Sequence, residues 1–210
     1  MWRPVSNNEL LINFYYWGPF LTKFKIEESE RLKLLDVSKK SDEDFRHELA
    51  GIIKNEKKFN QKNTDWFYKT FLKYFDAYLA AFKKHTSQEI LENYTTVEKE
   101  SVWVNFMKAN EFNPPHIHSG DLSFVIYLDI PKNLNKERYE YKGTSAGPGA
   151  IVFNYGESNP SGSCQHFITS HMFLPEKGDF FIFPANLRHY VIPFKSKGER
   201  ISVSGNLNFK

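Results

Sequence analysis

The chain has 210 residues and a mass of 24.7 kDa, with 40% hydrophobic, 17% aromatic and 25% charged residues and a formal net charge of +3. The 20 Phe, 11 Tyr and 4 Trp exclude a disordered chain, and 11 Gly and 10 Pro without a period exclude collagen-like or low-complexity sequence. A single cysteine, Cys164, excludes a disulfide scaffold and suits a reducing compartment.

The 28 basic and 25 acidic residues are nearly balanced, and no basic run exceeds two residues. A nucleic-acid partner is therefore disfavoured against a protein side chain or a small molecule. The apolar stretch Leu10–Phe20 contains Asn13, Gly18 and Pro19 and is too short to span a bilayer. A soluble cytoplasmic protein is the expectation (host-cell cytoplasm, if the chain is viral).

The first predicted element is a helix opening at Ser41. Asp42, Glu43 and Asp44 fall in its first turn, and Phe45, Leu49, Ile52 and Ile53 recur at helical spacing. A stronger helix starts at Thr64–Asp65. It places Phe67, Phe71, Phe75, Tyr78 and Phe82 on one side and Lys69, Lys73 and Lys83 outside. Such a stripe could stack on bases, but it reads better as the face that packs on a sheet. A short helix over Ser87–Tyr94 follows.

Beyond residue 94 the texture changes to short β-branched and aromatic runs. These are Ser101–Lys108, Leu122–Ile130, Ala150–Tyr155, Gln165–Phe173, Asp179–Phe183, His189–Phe194 and Arg200–Phe209. Turn signals such as Asn-Pro-Pro and Lys-Gly separate them, which is the pattern of a sandwich or jelly roll. The fold class expected is α+β, mainly β. Residues 1–93 would form a helical buttress and residues 94–210 a double-stranded β-helix core, together one compact unit.

Chemistry concentrates in Asn113-Pro114-Pro115-His116-Ile117-His118-Ser119-Gly120-Asp121. Two histidines at i, i+2 in an extended segment share a face, about 6–7 Å apart along the chain, so both imidazoles can reach one ion. His189 follows a buried run ending at Pro184 and could complete a facial triad from a distant strand. Asp121 is the alternative carboxylate ligand in place of His118. Arg200 and Ser202 share a strand face, and a guanidinium beside a hydroxyl is a natural fork for a carboxylate. A metal at one end and a carboxylate anchor at the other would hold a 2-oxo acid.

Four ordered motifs carry a family resemblance: the Pro-His-x-His turn at His116 and His118, the strand Ser123–Leu128, the pair Gly178–His189, and the strand Arg200–Ser204. In these the chain resembles the Fe(II)/2-oxoglutarate-dependent oxygenases of the jelly-roll fold, in particular the group found in bacteria and in phages of marine cyanobacteria. The likeness covers residues 94–209. It implies a 2-oxoglutarate-dependent non-haem iron dioxygenase, a hydroxylase that couples decarboxylation of 2-oxoglutarate to substrate oxidation by O2. It further implies that His116, His118 and His189 hold Fe(II), that Arg200 and Ser202 take the far carboxylate of 2-oxoglutarate, and that Tyr127 hydrogen-bonds this cosubstrate. Many relatives have His-x-Asp where this chain has His116 and His118, so three neutral imidazoles would leave the metal its full charge.

Two other readings remain at this stage. A cupin-like metal-binding jelly roll explains the histidines but gives Arg200 and Ser202 no task, and a binding module would leave the histidines on a surface. Asn206 and Asn208 either line the site or cap the last strand. His166, His171 and Cys164 carry no motif, and the glycine-rich segments 147–149 and 156–162 are ordinary turns or a lid.

Overall fold

The computed structural model describes residues 18–86, 97–156 and 170–209. In chain order the elements are β1 (Thr22–Lys25), α1 (Glu28–Lys39), β2 (Glu43–Asp44), a 3-10 turn (Arg46–Glu48), β3 (Glu56–Lys58), α2 (Gln61–Thr86) and β4 (Val97–Met107). They continue as β5 (Asn113–His116), β6 (Leu122–Asp129), α3 (Leu134–Glu140), β7 (Ile151–Asn154), β8 (Ser170–Phe173), β9 (Asp179–Pro184), β10 (Arg188–Val191) and β11 (Arg200–Phe209).

Two antiparallel sheets face each other. The larger has the order β1-β9-β6-β11-β4-β3-β2 and the smaller β5-β10-β7-β8. Neighbours distant in sequence, such as β4 with β11 and β5 with β10, produce the crossed connections of a jelly roll. The double-stranded β-helix expected from the strand runs is the fold observed.

Alternation along the central strands explains the two cores. Phe124, Ile126 and Leu128 of β6 point one way, while Val125 and Tyr127 point the other. The outward set meets Phe67, Phe71, Phe75 and Tyr78 of α2, so the aromatic stripe is a packing face. Phe67 stacks on Phe124 with centroids 5.0 Å apart, and Phe75 meets Phe180 edge-on at 5.7 Å. Gly205 of β11 lies under this cluster. A Cβ there would come within 2.6 Å of the Phe124 ring and 2.9 Å of the Ser101 carbonyl, so only glycine lets the strand pass.

The inward set, joined by Phe181 and Phe183 of β9, packs against Phe153 of β7 and Val191 of β10 in the smaller sheet, and Val125, Tyr127, Phe183 and Val191 line a cavity. Near its deep end the pairing of β6 with β11 skips Leu128. The Leu128 carbonyl instead accepts a 2.5 Å hydrogen bond from Arg31 Nη1, which ties α1 to the sheet at the bulge.

The expected helix from Ser41 is not formed. Asp44 accepts bonds from the Arg46 backbone and guanidinium, the chain turns through one 3-10 turn, and β3 pairs with β4 while β2 pairs with β3 at the sheet edge instead. The apolar spacing there was misleading because Ile52 is 60% exposed and bridges Phe112, while Ile53 alone enters the core. Helix α1 and strand β1 were not foreseen, since α1 is charged nearly all round and buries little beyond Leu34, Ser38 and the Arg31 side chain. Helix α3 stands where a turn was expected. The expected helix Ser87–Tyr94, part of the run Gln165–Phe173, most of the 156–162 loop, Cys164 and His166 lie outside the described residues.

Candidate active site

Strands β5 and β10 are neighbours, and their register sets His116 directly opposite His189. His118 lies two residues past His116, where its backbone N–H donates to the Ala185 carbonyl and holds the turn against the end of β9. The candidate ligand atoms of His116, His118 and His189 all lie within 4.8 Å of one another. Bonds of about 2.0–2.1 Å to a shared ion require only a small further closure of the rings.

Two of the rings are oriented by the same local device. His116 Nδ1 donates to the Pro114 carbonyl at 2.7 Å, and His189 Nδ1 donates to the Leu187 carbonyl at 2.9 Å. Each bond reaches two residues back, fixes the tautomer and leaves Nε2 with its lone pair for a metal. Burial keeps the rings uncharged. It lowers the pKa of His116, takes His118 down to about 4 and His189 down to about 3, the last two helped by the neighbouring imidazoles. Three neutral nitrogens, two of them on rings already oriented, suit a divalent transition metal.

Asp121 is used elsewhere. Its carboxylate accepts the Phe209 N–H at 2.7 Å, and its backbone exchanges hydrogen bonds with Leu207 and Ala185. It pins the end of β11 and lies outside the cluster of candidate ligands.

The other end of the cavity is cationic. Arg200 is only 2% exposed, yet among the described residues no carboxylate pairs with it. Its Nη1 donates to the Gly149 carbonyl at 3.2 Å and its Nη2 meets Met107 Sδ at 2.8 Å, while buried Nε has no partner. The Tyr127 ring lies 5.3 Å from the guanidinium carbon, and register places Ser202 between Tyr127 on β6 and Asn105 on β4. Behind it, Arg138 of α3 also donates to the Gly149 carbonyl, at 3.5 Å, and its other contacts are neutral oxygens. Burial pulls both guanidiniums below their ordinary pKa, and Arg200 lowers Arg138 further. A buried guanidinium and a half-buried one sharing one carbonyl form a site that calls for an anion.

His116, His118, His189, Tyr127, Arg200 and Ser202 all line one cavity, whose volume is about 40 Å³. A model of the family described as "Putative 2OG-Fe(II) oxygenase" matches residues 101–206, half of the chain. The chain belongs to this family. It is a 2-oxoglutarate-dependent non-haem iron dioxygenase whose cofactors are Fe(II) and 2-oxoglutarate.

Solved structures support the fold of the oxygenase. A Pseudomonas putida prolyl-4-hydroxylase superposes with a TM-score of 0.53 at 13% identity, covering 89% of this chain and 91% of that one. A 2OG-Fe(II) oxygenase family oxidoreductase from Burkholderia pseudomallei gives 0.54 at 14% identity over 90% and 84%. The viral collagen prolyl hydroxylase of Paramecium bursaria Chlorella virus-1, solved with 2OG, gives 0.51 at 15% over 90% and 95%. A search of curated proteins finds no sequence match.

The residues present fit both groups: the histidines offer a nitrogen donor set, and the orphaned Arg200 Nε marks a place for a ligand anion. Other candidates fall outside the cavity. Asn206 accepts the Ser123 hydroxyl at 2.6 Å, Asn208 donates to Glu100 at 2.5 Å, and His171 is exposed on β8 beside Phe173. Conversely, Trp103, Asn105, Asn113 and Glu56 line the cavity and were missed. No motif in the sequence set Glu56 apart, whereas Trp103 and Asn105 could have been found from the alternation within Ser101–Lys108.

Proposed function

We propose that His116, His118 and His189 hold the Fe(II), that Arg200 with Ser202 and Tyr127 binds the distal carboxylate of 2-oxoglutarate, and that the oxygenase hydroxylates a polypeptide side chain. The observation that carries the assignment is the unpaired, buried Arg200 guanidinium in the same cavity as the three neutral imidazoles. A cupin-like metal site would have no use for it.

Bound iron and 2-oxoglutarate supply the oxidising chemistry when O2 reacts; the chain's residues supply placement. The carbonyl-anchored histidines hold the metal rigidly at one end. Arg200 offers a planar fork for a carboxylate, and Ser202 adds a hydroxyl donor on the same strand face. Burial raises the Tyr127 pKa, so its phenol stays protonated and able to donate. Val125, Ile151, Phe183 and Val191 give the cavity an apolar wall that keeps competing water from the reacting centre.

A polypeptide substrate is supported by the near-neutral charge and by the prolyl hydroxylases named among the similar folds. The described residues contain no helix long and apolar enough to cross a membrane, in keeping with a proposed cytoplasmic site of action. The test is succinate formation from 2-oxoglutarate with Fe(II), O2 and ascorbate, against peptide pools, metabolite pools and oligonucleotides. Stimulation by peptides with a mass gain of one oxygen is expected. Stimulation by oligonucleotides alone would overturn the substrate class, and iron-independent turnover would overturn the site.

A further inference from the structure

The cavity has a third polar feature that neither the metal nor 2-oxoglutarate uses. Glu56 of β3 is 1% exposed, lines the cavity, and its Oε2 has no hydrogen-bond partner. Directly opposite in register stands Asn105, 4% exposed, whose Oδ1 is also unpartnered. Asn113 Oδ1 is a third orphaned acceptor on the same wall. A carboxylate accepts hydrogen bonds only, so leaving one buried without a donor is costly unless a ligand supplies it.

The charged neighbours do not satisfy Glu56. Arg46 is exposed and gives its guanidinium to Asp44, and Lys58 lies over the Phe45 ring at 5.2 Å. Glu111 adds negative charge, its own oxygens being taken by the Lys54 and Lys108 backbone N–H groups. Burial and Glu111 together push the Glu56 pKa up to about 7 in the free chain, as befits a carboxyl waiting for a cation. Space is kept open beside it by Gly51. A Cβ there would sit 3.0 Å from Glu56 Oε1 and would collide with Asn113 Oδ1.

We propose that Glu56, with Asn105 beside it, recognises a cationic nitrogen of the substrate, an ammonium or guanidinium group, inside the cavity shared with the three histidines. This deepens the oxygenase reading and rests on it for the word substrate. The neighbouring Trp103 supplies an aromatic surface on the same wall, against which an alkyl stem or the cation itself can pack. The class favoured is a lysine- or arginine-like side chain.

The probe is n-butylguanidinium, with n-butylurea as its neutral isostere, titrated calorimetrically at pH 8 into protein loaded with Mn(II) and 2-oxoglutarate. Saturable binding of the guanidinium is expected, with butylurea at least ten-fold weaker. Glu56→Gln should weaken the guanidinium ten-fold or more while Mn(II) and 2-oxoglutarate affinities stay within two-fold. Gly51→Ala, which keeps the carboxylate but fills the space beside it, should cause a similar loss and guards against a folding defect in the first variant. Equal binding of the two probes, no saturable guanidinium binding, or full affinity in Glu56→Gln would overturn the proposal. Failure of the wild type to take up metal or 2-oxoglutarate would instead overturn the oxygenase site, and the same titration of the unloaded chain would still decide whether Glu56 holds a cation.

Discussion

His189 on β10 stands in register with His116 on β5, and each ring is held through Nδ1 by the carbonyl two residues before it. Two strands far apart in sequence thus present their Nε2 atoms to one point. The cost of holding these groups buried together is measurable.

The first cost is at Arg200. An unpaired buried guanidinium destabilises the chain until an anion arrives. Arg200→Met should stabilise the ligand-free protein by about 1–3 kcal/mol, or several degrees in Tm, while abolishing 2-oxoglutarate binding. Thermal unfolding with and without 2-oxoglutarate and Mn(II) reads both effects. A lower Tm in the ligand-free variant would make Arg200 a structural residue.

The second concerns protons at the imidazoles. His118 and His189 have pKa values lowered to about 4 and about 3, and His116 is lowered too. The folded state then binds fewer protons than the unfolded chain below the ordinary histidine value of about 6.5, so the ligand-free protein loses stability as pH falls through that value. At pH 6.0, metal binding should release under about one proton, against about two for three ordinary histidines. Calorimetry in buffers of different ionisation enthalpy counts them, and release near two would contradict the buried, neutral trio.

Glu56 has the opposite sign. Its pKa is raised to about 7, so the folded state holds a proton that the unfolded chain has released, and stability falls as pH rises from about 4.5 through 7. Glu56→Gln should be about 1–3 kcal/mol more stable than the wild type at pH 8 and indistinguishable at pH 4. Urea unfolding at the two pH values checks this, and an equal effect at both would place the carboxylate in an ordinary solvated setting.

Much of this was written locally. The His-x-His turn, the Gly-Asp strand leading to His189 and the Arg200–Ser204 strand are contiguous motifs, and β-strand alternation alone sets Ser123, Val125 and Tyr127 on one face. What sequence did not show was pairing: that β3 joins β4, that Glu56 thereby meets Asn105, and that Arg138 backs Arg200. These depend on contacts between segments roughly 50 to 60 residues apart, which no local spacing encodes. The segment after Ser41 failed for the same reason, because edge pairing with β4 outweighed a weak helical pattern.

The packing of α2 offers a test independent of the site. Gly205→Ala must push the Phe124 ring off Phe67 or bend β11, costing about 1–3 kcal/mol. Denaturant unfolding measures it, and a neutral substitution would mean that the aromatic stack yields freely.

The decisive measurement is the titration of N-oxalylglycine, an inert 2-oxoglutarate analogue, into the wild type, Arg200→Ala and His189→Ala, each with and without Mn(II). Charge-assisted hydrogen bonds contribute about 1.5–3 kcal/mol each, and about 1.4 kcal/mol is ten-fold in affinity. Arg200→Ala should therefore bind Mn(II) normally but the analogue about one to four orders of magnitude more weakly, whereas His189→Ala should lose Mn(II) first and the analogue as a consequence. Unchanged analogue affinity in Arg200→Ala, or metal-independent binding in the wild type, would contradict a cosubstrate held between three histidines and one arginine.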